Sequence, residues 1–328
     1  MRFIGVNFHY VRPEFNLPFP GLHGLTTEQF EARLRALGTM GTFVSMADVT
    51  RSLNGQGELP DKSILVTFDD GLREQYDHAW PVLKKLGVPA TFFVNTRPIA
   101  DAKVLTVHKI HLLRSHVEPD EFFERVQLAA SARGIDLDNA TDEDQAHAQY
   151  VYDSPRVAVL SHLLNFRLSA DERAQIADHV FDACFPGREP LISSELYLSP
   201  GQIAELASAG SIGTHSHDHY PLGLLQPVHA HEQIARSLDH LAEWTGRQTN
   251  ALSYPYGLAD SSSLGVQKLA EDLGLDLGFT MERAVNVDFR LPFAMGRFDA
   301  NDVPGGKSCR LPVDEFFDRA PTVRWFRE

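Results

Sequence analysis

The sequence predicts an α/β protein, a barrel of about seven parallel strands with a helical insertion. Three features of the 328-residue chain lead there. Short apolar runs alternate with amphipathic, helix-like stretches, the order of a β/α barrel rather than of a sandwich. Three polar motifs sit at the carboxyl ends of three such runs, where the strands of a barrel share one mouth. Between residues 97 and 198 the alternation stops, and a charged, helix-like stretch takes its place.

Residues 2–8 (RFIGVNF) read as the first strand. Thr26 caps a helix to about residue 37, with Phe30, Leu34 and Leu37 on one face. A strand near 42–45 and a short helix follow. Residues 63–68 (SILVTF) are a strongly apolar strand. In helix 73–86, Tyr76, Ala79, Trp80, Leu83 and Leu86 recur near 3.6 spacing; Pro81 is a point for a bend, and Gly87 is the C-cap. Residues 90–95 (ATFFVN) form the next strand. The 97–198 insertion carries apolar groups at Ile110, Leu113, Val157, Leu160, Leu163 and Leu164. Its His108, His111 and His116 lack an acid or thiol partner and read as a solvated face. The β/α rhythm resumes after Pro200, with helices at 200–209, 227–245 and 262–273 and strands at 211–214, 250–253, 277–280 and near 293–298.

With 43% hydrophobic residues the chain can bury a sizeable core, and it reads as one domain, 1–328, containing the insertion. A net charge of −14 repels a polyanion, which argues against a nucleic-acid partner. Cys184 and Cys309 form no framework and read as reduced structural thiols. The start of the chain lacks the long apolar core and small-residue cleavage site of a secretory signal. No apolar run approaches the ~20 residues of a membrane helix. The expectation is a soluble, cytoplasmic protein without a membrane span, with homo-oligomerisation left open.

The chemistry lies in the three motifs. Thr67-Phe68-Asp69-Asp70-Gly71 puts two acids at a strand end. Adjacent residues leaving a strand point to different sides, so one carboxylate could bind a metal while the other acts as a base. His215 and His219 are four apart, which on a helical turn places both on one face, and His217 falls on the other side. Two imidazoles and one carboxylate make a site with open positions for water and substrate, the layout of a catalytic zinc. The Ser253-Tyr254-Pro255-Tyr256-Gly257 segment reads as a loop with aromatic walls.

Together these motifs resemble the polysaccharide deacetylase family, the NodB-like carbohydrate esterases. The likeness runs from TFDDG through the next helix and ATFFVN to the His215–His219 motif and the Pro-Tyr-Gly loop, roughly two-thirds of the chain. It implies an irregular seven-stranded (β/α) barrel. It implies that Asp70, His215 and His219 bind one divalent ion, zinc by preference, that Asp69 is the general base, and that the Tyr256 N–H helps hold the oxyanion. The chain departs from the family pattern twice. Ser253 stands where the family commonly has an Arg, and Arg297, in the late Gly-Arg-Phe-Asp sequence, is the candidate replacement. The usual acid His follows a late strand, but the last His here is His240. In a rearranged variant of the family this His lies near the start in a Tyr-His context, and Phe8-His9-Tyr10 fits that variant.

The activity so implied is metal-dependent N-deacylation, in particular N-deacetylation, of an amino sugar that is free, nucleotide-linked, lipid-linked or oligomeric. The ion would polarise the acyl carbonyl and activate water, Asp69 would take the water's proton, and His9 would protonate the leaving amine. Hydrolysis of a cyclic amide or ureide within the same superfamily is an alternative. A catalytically inactive sugar-binding module is another, against which the retained base and three ligands argue. A non-haem iron oxygenase would need neither Asp69 nor an acid His. A haloacid-type phosphatase would have Asp-x-Asp in place of Asp69-Asp70-Gly71.

Overall fold

A computed structural model describes the chain except residues 20–21, 136, 138–154, 165–167, 211 and 328. Two compact units emerge. The first comprises Met1–Glu14, Gly24–Asp101 and Ser194–Glu328; the second comprises Phe15–His23 and Ala102–Ser193.

The first unit is a nearly closed parallel barrel. Among the described residues its strands are β1 Phe3–Phe8, β2 Val11–Arg12, β3 Leu25–Thr26, β4 Thr42–Phe43, β5 Ser63–Phe68, β6 Ala90–Val94, β7 Ile212–Thr214, β8 Ala251–Ser253, β9 Leu277–Phe279 and β10 Arg297–Asp299. Seven of them run in the order β10-β1-β5-β6-β7-β8-β9. A parallel bridge between Phe279 and Met295, two residues ahead of β10, brings the last strand back toward the first. The seven-stranded barrel expected from the sequence is therefore the fold. Three short strands lie outside that order: β4 pairs with the start of β5, and β2 with β3. β4 falls on the strand expected near 42–45, whereas β2 and β3, of two residues each, are too short for periodicity to reveal. The last strand begins at Arg297, later than expected, because a turn closed by Ala294 N–H to the Leu291 carbonyl precedes it.

Alternation explains the barrel's contents. One set of β1, β5 and β6 side chains (Ile4, Val6, Phe8; Ile64, Val66, Phe68; Ala90, Phe92, Val94) packs outward with Phe30, Leu34 and Leu37 of helix Thr27–Met40. The other set faces inward. Toward the amino ends of β1 and β5 it is apolar, with Phe3 and Leu65 in one cluster with Phe93, Phe279 and Met295. Two and four residues further along it turns polar, through Asn7, Thr67 and Asp69, all buried. The period of two in a strand thus carries the polar groups up the barrel axis to the carboxyl mouth.

Local signals set the helix boundaries. Thr26 caps helix Thr27–Met40 through a reciprocal box with Gln29. The expected helix 73–86 is divided into a π-helical turn, Gln75–Ala79, and an α-helix, Trp80–Leu86, ended by left-handed Gly87. Pro81 has no N–H to give the carbonyl four residues back, and a widened turn before it accommodates that loss.

The second unit is built of helices, among them Thr106–His116, Pro119–Ser131, Pro155–His162 and Ala170–Cys184. Leu113, Phe122, Val126, Leu160, Leu163, Leu164, Ile176, Val180 and Phe181 are buried. The histidine face is not solvated throughout: His108 is buried, and exposure rises through His111 to His116. Lys109 is buried beside His108 and pairs with Asp178 and Glu189, each at 2.7 Å. This polar interior hides the helix's apolar period. Part of the insertion, including 138–154, lies outside the described residues. Cys184 and Cys309 are free thiols. Among the described residues no helix is long and apolar enough to cross a membrane.

Candidate active site

Two adjacent acids at the end of β5 take opposite paths. The carboxylate of Asp69 is buried and accepts from both terminal nitrogens of Arg297, Nη1 to Oδ1 and Nη2 to Oδ2, each at 2.9 Å. Asn7 Nδ2 donates to Oδ2 at 2.8 Å. Arg297 is itself fully buried on β10, and its remaining donors go to the Thr280 carbonyl (3.2 Å) and Ser253 Oγ (2.7 Å). Nη1 also reaches Asn7 Oδ1 and Thr67 Oγ1, both at 3.2 Å. The stem of Arg297 runs over Gly5, where a Cβ would stand 2.6 Å from Arg297 Cγ. Glycine at this β1 position is what admits the guanidinium to the interior. Burial alone would raise the Asp69 carboxyl, but the charges of Arg297, then His215, and finally His9 outweigh it and hold it down to about 2.

Asp70 turns away with a left-handed φ of 78°. Its Oδ1 lies 3.6 Å from His215 Nε2 and 3.4 Å from His219 Nε2. The three ligand atoms lie within 4.8 Å of one another, and they are the one cluster of this kind among the described residues. Bonds of about 2.0–2.1 Å in a tetrahedron separate neighbouring ligand atoms by about 3.3–3.4 Å, so the two distances fit donors around one ion. His215 Nδ1 is 2.7 Å from the Ser253 carbonyl, which fixes the proton on Nδ1 and leaves the Nε2 lone pair, on the side of Asp70, free to bind an ion. Burial pushes the His215 imidazole below its ordinary value, toward the neutral form a ligand needs.

The two histidines do not lie on a helical turn. Residues 215–219 form an irregular loop with left-handed φ at Ser216 (65°) and His219 (60°). Two such bends fold the loop back, and the i, i+4 pair meets by that route. Asn95 Nδ2 steadies the loop through the Ser216 carbonyl at 3.3 Å. His217 points elsewhere, buried, with Nδ1 2.9 Å from Thr96 Oγ1. The Pro-Tyr-Gly loop meets the site through Tyr256, whose ring centroid is 4.9 Å from that of His219. Its φ of 64° and the 61° of Gly257 are both left-handed.

His9 follows β1 and is only partly buried. Its carbonyl and that of Asp69 both accept from Gln75 Nε2, which places the two residues side by side at the ends of β1 and β5. The acids at and after the end of β10 have partners of their own: Asp299 accepts from Asn301 at 2.8 and 3.0 Å, and Asp302 pairs with Arg283 at 2.8 Å. The structure thus brings together Asp69, Asp70, His215, His219, Tyr256 and Arg297. Sequence reasoning missed Asn7 and the Ser253 hydroxyl as partners of this group. Asn7 had a signal, as a polar residue interrupting an apolar strand; Ser253 had none.

Residues 56–148 and 173–278 match the polysaccharide deacetylase family, more than half of the chain, and the protein belongs to that family. A poly-β-1,6-N-acetyl-D-glucosamine N-deacetylase of Staphylococcus epidermidis is 30% identical over 103 residues, 31% of this chain and 34% of that protein. The chain spans about a third of the length of the curated relatives it matches. The structure of IcaB from Ammonifex degensii superposes with a TM-score of 0.55 at 21% identity, covering 90% of this chain and 91% of that one. A Streptococcus pyogenes deacetylase, PplD, in complex with acetate gives 0.54 at 16% identity over 91% and 92%. At these identities the superpositions establish the shared fold.

Proposed function

We propose that this protein hydrolyses the acetamido group of N-acetylated amino sugars in a glycan chain, releasing acetate and a free amine. Membership of the family and the likeness to a poly-N-acetylglucosamine deacetylase support the substrate class. One observation carries the reading: an ionised aspartate locked by a buried arginine stands next in the chain to a carboxylate that faces two histidine nitrogens at 3.4 and 3.6 Å. Asp70, His215 and His219 would hold a divalent ion, zinc by their chemistry, and such an ion polarises an acyl carbonyl and makes water a stronger acid.

The residues divide the remaining work. A carboxylate offers about four lone-pair sites, and in this structure Arg297 and Asn7 fill one on Oδ1 and two on Oδ2. The remaining site on Oδ1 takes the proton of the attacking water. The Tyr256 N–H donates to the carbonyl oxygen as it gains charge. His9 gives a proton to the nitrogen as the C–N bond breaks, since an amide nitrogen leaves poorly as an anion. The test is acetate release from N-acetylglucosamine oligomers by zinc-loaded protein, with and without a chelator. Chelator-sensitive acetate release supports the reading; folded, zinc-loaded protein that releases no acetate from N-acetylated sugars overturns it.

A further inference from the structure

The pairing of β1 with β5 ends at Phe8 and Phe68, and the last backbone bond runs from Asp69 N–H to the Phe8 carbonyl at 3.1 Å. Beyond it the two chains part, carrying His9 on one side and Asp69 on the other. The carbonyls of these two residues need donors from outside the ladder. Gln75 supplies both. Its Nε2 lies 2.6 Å from the Asp69 carbonyl and 3.1 Å from the His9 carbonyl. Both partners are acceptors, so the amide nitrogen, not its oxygen, must face them. Gln75 is fully buried and opens the π-helical turn, with its own N–H on the Leu72 carbonyl at 3.0 Å.

We propose that Gln75 is a positioning residue: its single side-chain amide cross-links the strand ends bearing His9 and Asp69 and so sets the gap across which those two residues act. The reach is specific to this arrangement. One NH₂ group carries two hydrogens, enough for one bond to each carbonyl. The π-helical turn, a feature that recurs near functional sites, is where the side chain departs. The inference rests on the proposed roles of His9 and Asp69, and its test therefore includes a readout that does not depend on them.

The variant is Gln75→Met, of similar size and without the donors. Zinc content and thermal midpoint are measured first, to show a folded, loaded protein. Displacing a reacting group by about 1 Å can cost about 100-fold. The expected result is a fall in kcat of about 10–100-fold on an N-acetyl amide, with KM changed little and a smaller fall on an aryl acetate, whose leaving group needs no proton from His9. Equal falls on amide and ester, or none, overturn the proposal. If Gln75→Met does not fold, Gln75→Asn, which keeps the amide on a shorter arm, is read by the same ratio. Independently of catalysis, a crystal structure of the variant should show the His9 and Asp69 carbonyls further apart by more than about 0.5 Å, the tolerance of a working site. An unchanged gap refutes the proposal whatever substrate the protein takes; acetate-release failure in the unmodified protein refutes the functional reading instead.

Discussion

Asp69 poses the central question at the scale of a single residue, because a carboxyl held at about 2 is a weak base. A base works best when its strength matches its task, so in the proposed reaction the proton Asp69 takes would have to come from a water already acidified. In that proposal the Arg297 clamp would keep Asp69 ionised and aimed, at the cost of intrinsic basicity. Asp69→Asn should keep its zinc and lose about 10²–10⁴-fold in turnover, measured as acetate release against metal content. Near-normal turnover at full occupancy would remove Asp69 from the role. For His9 the discriminating test is the leaving group. His9→Ala should depress hydrolysis of an amide far more than that of an activated ester; equal losses would return His9 to an ordinary loop residue.

Loops and helices decide how such residues are presented. The Pro-Tyr-Gly loop needs glycine at position 257, where φ is 61° and a Cβ would lie 2.6 Å from Met281 Cγ and 2.7 Å from its backbone nitrogen. A left-handed residue with a side chain costs about 1–2 kcal/mol before any clash. Gly257→Ala should therefore lower unfolding free energy by more than about 1 kcal/mol in a urea titration. In the second unit, Glu189 accepts from Lys103 Nζ at 2.8 Å and the Val104 N–H at 3.1 Å. Burial would raise its carboxyl, but the bonds from Lys103 and Lys109 prevail and leave it below the ordinary value. A group depressed in this way stabilises the fold above its unfolded value, and that contribution disappears as pH falls through the folded value. Wild-type stability should thus decline more steeply on acidification below the usual carboxylate range than that of Glu189→Gln, which should also be less stable near neutrality by about 1–3 kcal/mol.

For the whole molecule the barrel brings separate stretches of chain to one mouth. Asp70 follows β5, the two histidines follow β7, and Ser253 of β8 orients His215. An ion on these groups would tie parts of the barrel together that are far apart in sequence, so binding should be visible as stability. Zinc at about 100 times its dissociation constant should add about 2.7 kcal/mol to unfolding, and Asp70→Asn or His215→Ala should abolish the increment. A thermal midpoint indifferent to zinc would argue against the site.

The strands of the barrel, their order of appearance and the motifs at their ends were legible in the sequence, because period-two burial and apolar runs are local properties of the chain; β2 and β3, of two residues each, were too short to show them. TFDDG and the two histidines were visible for the same reason: their chemistry is written in residue type and close spacing. What only tertiary structure decided are the partnerships. Arg297 reaches Asp69 because β10 lies beside β1 and Gly5 leaves room for its stem. Gln75 joins His9 to Asp69 because two strand ends diverge beneath it. His215 and His219 converge through two left-handed bends rather than a helical turn, and His108 is buried in a helix whose pattern does not announce it. Each of these depends on which strand neighbours which and on backbone angles that many sequences adopt only under the constraint of their surroundings. Such constraints arise between residues distant in sequence, so they come into being only when the chain has folded.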